Sequence, residues 1–307
     1  MNSESLVSII IPTYNRSNLL IRAIRSALNQ THSNTEILIV DDASTDHTMG
    51  IVTGIKDLRI RYLRHEHNMG LSVSRNTAIK VARGRYINFL DDDDEIHHLK
   101  IEKQLKVFAQ KDKGVGVVYC GWQYVYNGKV TSVHSPFYSG NVFKRFLSGC
   151  FTAASTPLIR SDCFEKVGLF DEKLKSCEDW DMWIRIAKYF SFEFIPEILA
   201  ACHTHVQQMS SRLQDRITAR ERIINKYQTD LVNAVYAYSA QLGRLGILHC
   251  LNNSKDKGLR HIFNAIGKDP AAWKNYAYLL LLTLDGLKKG ALEHFVTEKR
   301  GNETVFY

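Results

Sequence analysis

A chain of 307 residues with 45% hydrophobic and 23% charged side chains can bury one large core or two modest ones, which excludes a disordered, collagen-like or disulfide-scaffold protein. No apolar run reaches the roughly 18–20 residues of a spanning helix, and MNSESLVSII carries no basic stretch ahead of its apolar segment, so no secretory signal is read. The net charge of +8 is uneven: 25 basic and 23 acidic residues lie in 1–210 against 15 and 9 in 211–307, a basic tail suited to an anionic surface.

Leu6–Pro12 is apolar and β-branched, which predicts a buried strand, and Thr13-Tyr14-Asn15-Arg16-Ser17 supplies turn chemistry and a candidate helix N-cap. Leu19, Leu20, Ala23, Ile24, Ala27 and Leu28 then recur at helical spacing. Ile37–Val40 forms a second strand that stops in Asp41-Asp42, and Ser44 and Thr45 are expected to cap the helix of Met49, Ile51, Val52 and Ile55. Ile60–Leu63 is a third strand, and Leu71–Val81 a third helix closed by Gly84 as its C-cap. Tyr86–Leu90 runs straight into Asp91-Asp92-Asp93-Asp94-Glu95.

Strand and helix alternate, which predicts an α/β fold with parallel strands joined by right-handed crossovers. The ligand crevice of such a sheet lies outside the carboxyl ends of its strands. Tyr14-Asn15, Asp41-Asp42 and Asp91–Asp94 are therefore expected on one rim. Neither Gly-x-Gly-x-x-Gly nor Gly-x-x-x-x-Gly-Lys-Ser/Thr occurs, which removes the main support for a dinucleotide fold or a P-loop.

Two carboxylates about 4 Å apart repel by roughly 4 kcal/mol at an effective dielectric near 20. Four consecutive aspartates must splay into water, take up protons or bind a cation, and hard oxygens select Mg²⁺, Mn²⁺ or Ca²⁺. A solvated acidic turn is the plainer alternative. At Asp41-Asp42 one carboxylate can cap the next helix while the other accepts a hydrogen bond from a base.

Val115–Val125 is strand-like, with Tyr119, Trp122, Tyr124 and Tyr126 available for stacking on a ligand ring or for core packing, and Phe137–Pro157 is expected to be a mobile loop. Ser176–Ala187 predicts a helix with an acidic first turn and a buried stripe of Trp180, Trp183, Ile184 and Ala187. Asp181 and Arg185 can pair at i, i+4, which leaves Glu178 and Asp179 without a local partner, either as helix-start chemistry or as a base. From residue 211 the pattern becomes long helix, with Ile217, Ile224, Leu231, Tyr238 and Leu245 seven apart as a packing seam against the preceding domain or another subunit. Leu259, Ile262, Phe263 and Ile266 line a shorter helix. The aromatic, leucine-rich 271–284, followed by Lys288-Lys289, reads as a helical cap on the main domain, with a surface-lying membrane contact through 271–307 as the alternative. Six scattered cysteines without Cys-x-x-Cys suggest reduced thiols in a cytoplasmic protein, peripheral at the inner face of the membrane if that contact forms.

Taken in order, Val7–Arg16, Val40-Asp41-Asp42-Ala43-Ser44-Thr45-Asp46, Asn68-Met69-Gly70 with Arg75-Asn76, Gly84–Asp94, Val167–Glu172 and Glu178–Ala187 resemble the family-2 glycosyltransferases over residues 5–212. The resemblance implies a GT-A fold, a Rossmann-like mostly parallel sheet flanked by helices, over a catalytic domain 1–210, followed by a helical region 211–307. It implies inverting transfer of a sugar from a nucleotide donor, a UDP-sugar, to a glycan or lipid-linked hydroxyl in surface polysaccharide or glycoconjugate synthesis. Pro12, Tyr14, Asp42 and Asp92 would then lie on the nucleotide side. Asp91 and Asp93, with His205 of the His-x-x-Gln-x-Ser stretch, would hold Mn²⁺ or Mg²⁺, and Asp179 would be the base. A homodimer is a candidate assembly. Rival readings are a non-catalytic nucleotide-sugar- or carbohydrate-binding relative and a sugar-nucleotide pyrophosphorylase, whose Gly-rich, basic first loop is replaced here by Pro12–Arg16. No nucleic-acid-binding motif accompanies the sequence pI of about 9.1.

Overall fold

The computed structural model describes residues 5–204, 213–283, 297–300 and 303–306. The first elements are β1 (Val7–Thr13), α1 (Ser17–Leu28), β2 (Thr35–Asp41), α2 (Thr48–Gly54), β3 (Ile60–Arg64), α3 (Leu71–Val81), β4 (Tyr86–Phe89) and β5 (Glu95–Ile96). Next come α4 (Lys100–Gln110), β6 (Val115–Tyr126), β7 (Lys129–His134), α5 (Phe143–Ser148), β8 (Leu158–Arg160), α6 (Asp162–Val167), α7 (Glu178–Ala187) and β9 (Ser191–His203). Helices α8 (Leu213–Lys226), α9 (Gln228–Val232), α10 (Val235–Leu251), α11 (Lys255–Lys268) and α12 (Trp273–Thr283) follow, then an antiparallel pair, β10 (Thr297–Arg300) and β11 (Glu303–Phe306).

The chain forms two compact units. The first takes the residues up to Val142, Thr152–Lys173 and the chain from Arg185 to the end of β9; the second takes Phe143–Phe151, Leu174–Ile184 and the helices from Leu213 onward. The cut expected at residue 210 is thus crossed by two earlier segments. Their place in the second unit has a local cause: the Trp180 indole donates to the Phe146 carbonyl (2.7 Å) and the Gln241 amide to the Leu147 carbonyl (2.8 Å).

In the first unit a sheet runs β3-β2-β1-β4-β8-β6-β9-β5, with β7 on β6. The strands β3-β2-β1-β4 are parallel, as are β6 and β9; β8 lies antiparallel between β4 and β6. β1 and β2 are buried along their whole length, which is why they read as unbroken Ile/Val/Leu runs rather than alternating ones. Ile9, Ile11, Ile37 and Ile39 pack with Leu20 and Ile24 of α1 and Leu105 of α4 in the main core. After β3 the chain returns to the other side of β1 to lay down β4, so the strand order reverses between β1 and β4.

Several local expectations change. α3 ends at Val81 with Ala82 as its C-cap, so Gly84 is not the cap. Gly84 is needed for close approach instead: a Cβ there would lie 2.5 Å from the Ser8 nitrogen, and its N–H donates to Ser8 Oγ (2.9 Å). α2 opens at Thr48 with His47 as its N-cap, and Asp46 rather than Ser44 or Thr45 serves its first turn, accepting from the Thr48 N–H (3.0 Å) and hydroxyl (2.6 Å). Phe137–Pro157, expected as a mobile loop, contains α5 and a bridge from Gly140 to Phe192.

In the second unit the expected long helix is three helices, because the backbone leaves helical geometry at Tyr227 (φ −108°) and Ala234 (φ −129°). The break at Tyr227 is held by its hydroxyl, which donates to Asp181 Oδ1 (2.8 Å), a carboxylate also paired with Lys226 (2.7 Å). Ile217, Ile224, Leu231 and Leu245 of the seam are buried all the same. α10 and α11 are antiparallel, with His249 stacked on His261 and Ser239 Oγ donating to the Ala265 carbonyl (2.8 Å). α12 joins them through Asn275, which donates to Ser239 Oγ (2.8 Å), and Ile247, Ile262, Tyr278 and Leu282 form their core. Phe263, expected to line α11, is exposed.

Candidate active site

Parallel pairing of β1 with β4 in the register Ile10↔Phe89 brings the ends of both strands to the reversal point, where an open α/β sheet offers a crevice. The turn after β4 is the aspartate run. Thr13 Oγ1 donates to Asp92 Oδ2 (2.8 Å), and the Arg16 guanidinium spans Asp92 Oδ1 (3.0 Å) and Asp93 Oδ2 (3.1 Å). Arg22 donates to the Asp93 carbonyl, and Arg75 to Asp91 Oδ1 (2.8 Å). Arg75 is itself buried between the rings of Phe89 and Phe170, 5.6 and 5.4 Å from their centroids.

The four aspartates are therefore relieved in different ways. Burial pushes Asp92 up to about 6, with Arg16 pulling the other way and Asp93 adding to the rise. Asp94, wholly buried and facing Asp93 and Asp91, is held well above the carboxylate range; its oxygens accept from Ser155 Oγ (2.7 Å) and the His203 N–H (3.1 Å). Asp91 is the most open, with 33% of its side chain exposed against 10% for Asp93. Asp92, expected on the nucleotide side, ties the acidic turn to Thr13 of β1 and to Arg16 just before α1.

Asp41 and Asp42 divide their work as opposite-facing neighbours on a strand should. Asp41 accepts from the Ser44 N–H (2.8 Å) and from the Tyr62 hydroxyl, shaping the turn. Asp42 accepts from the Met69 N–H (2.8 Å), the Gly70 N–H (2.7 Å) and His65 Nδ1 (2.7 Å), while His65 Nε2 meets Thr77 Oγ1 (3.0 Å). Asp42 thus clamps the β3–α3 loop, whose residues Glu66–Met69 are exposed beside the rim. Tyr14 is exposed on the same turn as Asn15, which adopts φ +51° and whose side chain accepts from the Thr45 N–H (2.7 Å). Asp46 joins this stitching through the Ser17 N–H (3.0 Å); burial would raise its pKa, but the Thr48 and Ser17 donors outweigh that and hold it at about 2. Pro12 is buried within β1.

Glu178 and Asp179 open α7 in the second unit, and Asp179 Oδ1 accepts from the Trp180 N–H (2.7 Å). Trp180, Trp183, Ile184 and Ala187 are buried as their spacing predicts. His205 lies outside the described residues. Its neighbour His203 ends β9 against the acidic turn, with its ring at 2.9 Å from Glu95 Oε1. Tyr119 and Trp122 are core residues, Trp122 being stacked on His134, whereas Tyr126 is exposed.

Among the described residues no three His, Cys, Asp or Glu side chains gather as a metal cage. What the acidic turn offers is hard carboxylate oxygen from Asp91 and Asp93, the donor set of a cation held by one or two carboxylates and completed by phosphate and water. The residues that spacing alone did not single out are the protein's own cations, Arg16 and Arg75, and the clamp residue His65. Arg16 and Arg75 stand in the motifs quoted above, so the signal was present; weighing water, protons or a bound cation for the acidic run passed over it.

The chain is 45% identical over 188 residues to an uncharacterized glycosyltransferase of Rickettsia felis, covering 60% of this chain and only 30% of that protein. It is 36% identical to the Escherichia coli UDP-Glc:alpha-D-GlcNAc-diphosphoundecaprenol beta-1,3-glucosyltransferase WfaP, over 59% of this chain and 70% of that one. Among solved structures, the mannosyltransferase PcManGT of Pyrobaculum calidifontis, determined with GDP-Man and Mn²⁺, superposes with a TM-score of 0.63 at 18% identity, over 94% of this chain and 84% of that one. The fold is of the GT-A type. The model for glycosyl transferase family 2 matches residues 8–168, just over half of the sequence, and the chain belongs to that family.

Proposed function

We propose that the chain is an inverting glycosyltransferase that moves a hexose from a uridine-diphosphate donor to a hydroxyl of a glycan or lipid-linked acceptor. It would build surface polysaccharide or a glycoconjugate at the cytoplasmic face of the membrane. The observation that carries this reading is the reversal point between β1 and β4, where Arg16 and Thr13 hold an acidic turn carrying Asp91 and Asp93 beside an exposed Tyr14. The name of the WfaP relative supports a UDP-sugar donor and a diphosphoundecaprenol-linked acceptor, and PcManGT supports a divalent cation.

Asp91 and Asp93 would hold the cation, which supplies positive charge against the departing diphosphate. Tyr14 offers its ring face to the base, and Asp42 sets the loop that borders it. Asp179 takes the proton from the acceptor hydroxyl as that oxygen forms its bond to the anomeric carbon. The bond from that carbon to the diphosphate oxygen breaks on the opposite face, and its electron pair leaves with the diphosphate. Asp179 stands in the first turn of α7, where a helix N-terminus favours the negative charge a base needs. Residues 1–210 would supply the donor-binding machinery and the later helices a packing or partner surface.

A test measures UDP release from a panel of UDP-sugars with Mn²⁺, in the wild type and in Asp179→Asn. The variant should lose transfer by about 10²-fold or more, the scale of a lost general base, while UDP binding stays nearly unchanged. Wild-type turnover in Asp179→Asn would remove Asp179 from the role.

A further inference from the structure

Helix α12 turns its two sides to different surroundings. Asn275, Tyr278 and Leu282 face α10 and α11, whereas Trp273, Tyr276 and Leu280, at i, i+3 and i+7, are 66%, 45% and 59% exposed. These three large side chains form one stripe about 10 Å long at 1.5 Å rise per residue. A run of three large apolar side chains exposed to this degree on one helix face marks an interaction surface. The composition is amphipathic in a particular way: Trp and Tyr carry a polar atom on a large apolar ring, the combination that settles where hydrocarbon meets head groups.

The charge around the stripe points to the kind of surface. Residues 255–283 hold five Lys or Arg (Lys255, Lys257, Arg260, Lys268 and Lys274) against two acids, Asp256 and Asp269, and α12 itself has no acidic residue. α11, packed beside α12, exposes Lys257, Arg260, Phe263 and Lys268. Lys288-Lys289 follow in the sequence. No helix among the described residues is long and apolar enough to cross a membrane. A stripe of Trp, Tyr and Leu with basic neighbours fits a helix that lies in the plane of an anionic bilayer: the apolar side chains enter the head-group boundary and the cations meet lipid phosphates.

We infer that α12 is a membrane-surface helix, with Trp273, Tyr276 and Leu280 as the inserted face and the basic residues of α11 as its electrostatic support, and that its partner is an anionic lipid bilayer. This docking is independent of the donor chemistry proposed above and is measured without it. The full chain is mixed with vesicles of equal phosphatidylglycerol and phosphatidylcholine, or of phosphatidylcholine alone, at low and high salt, and then floated. The wild type should float with the anionic vesicles at low salt, and salt should weaken this by screening. The variant Trp273→Ser/Tyr276→Ser/Leu280→Ser should bind about tenfold or more weakly, since it loses the inserted area. Lys257→Glu/Arg260→Glu/Lys268→Glu should bind less to anionic vesicles and keep its residual binding to neutral ones. Far-UV circular dichroism checks that both variants fold, and single substitutions replace any that does not. A wild type that stays with the aqueous phase on anionic vesicles at low salt overturns the inference. So does a triple variant that floats as well as the wild type, or one that converts a wild-type dimer to a monomer while the wild type ignores vesicles, which would make the stripe a contact between copies of the chain.

Discussion

Asp42 illustrates how one buried carboxylate organises a rim that it barely touches through solvent. A carboxylate has about four lone-pair sites, and three here are taken by Met69 N–H, Gly70 N–H and His65 Nδ1. Gly70 adopts φ +91°, a conformation the clamp requires of the residue just before α3. Asp42→Ala would strand two backbone donors and an imidazole in a nearly dry site, and should cost about 3 kcal/mol of stability. Urea unfolding measures that cost, and faster amide exchange at Met69 and Gly70 locates it. An unchanged midpoint would show that the loop holds without the clamp. Asp42 was expected on the nucleotide side, and its sequence context did not disclose the clamp. The backbone N–H groups that turn toward it belong to a loop 27 residues away.

At the scale of elements, the strands and helices of the first 90 residues stand almost where periodicity puts them, because each is a buried run or a single amphipathic stripe closed by strong turn chemistry. Less legible were features set by partners far along the chain. Gly84 looked like a helix cap and is a spacer against Ser8, and the seven-residue seam looked continuous although Tyr227 leaves the helix to reach Asp181. The β6–β7 hairpin offers an element-scale prediction. His134 at the end of β7 stacks on Trp122 of β6 and is buried, which pushes its pKa down to about 4 from 6.5. Between those two values the unfolded chain binds a proton that the folded chain refuses, so His134 should cost stability progressively as pH falls from 6.5 to 4. His134→Phe, which keeps the stack, should make the acid limb of a thermal-stability profile shallower over that window. An equally steep limb would mean that His134 is not what titrates.

On the scale of the whole molecule, the reversal of strand order between β1 and β4 gathers residues that are remote in sequence: Thr13 and Arg16 meet Asp92 and Asp93 across some 77 positions. That convergence was legible, because strand order and polar strand ends can both be read from the sequence. The means by which the acidic turn is held was not, since the guanidinium groups of Arg16, just before α1, and of Arg75, on α3, supply charge where the sequence left water, protons or a bound cation as the options. The central claim is that this turn, through Asp91 and Asp93, grips a cation and the diphosphate of an activated sugar. The most direct measurement is calorimetric titration of UDP into the full chain with and without Mn²⁺, repeated with Asp93→Ala. The account predicts binding that strengthens with Mn²⁺ in the wild type and loses about tenfold or more of that metal-dependent gain in the variant. A titration in which Mn²⁺ makes no difference, or in which Asp93→Ala gains from it as the wild type does, would contradict the account.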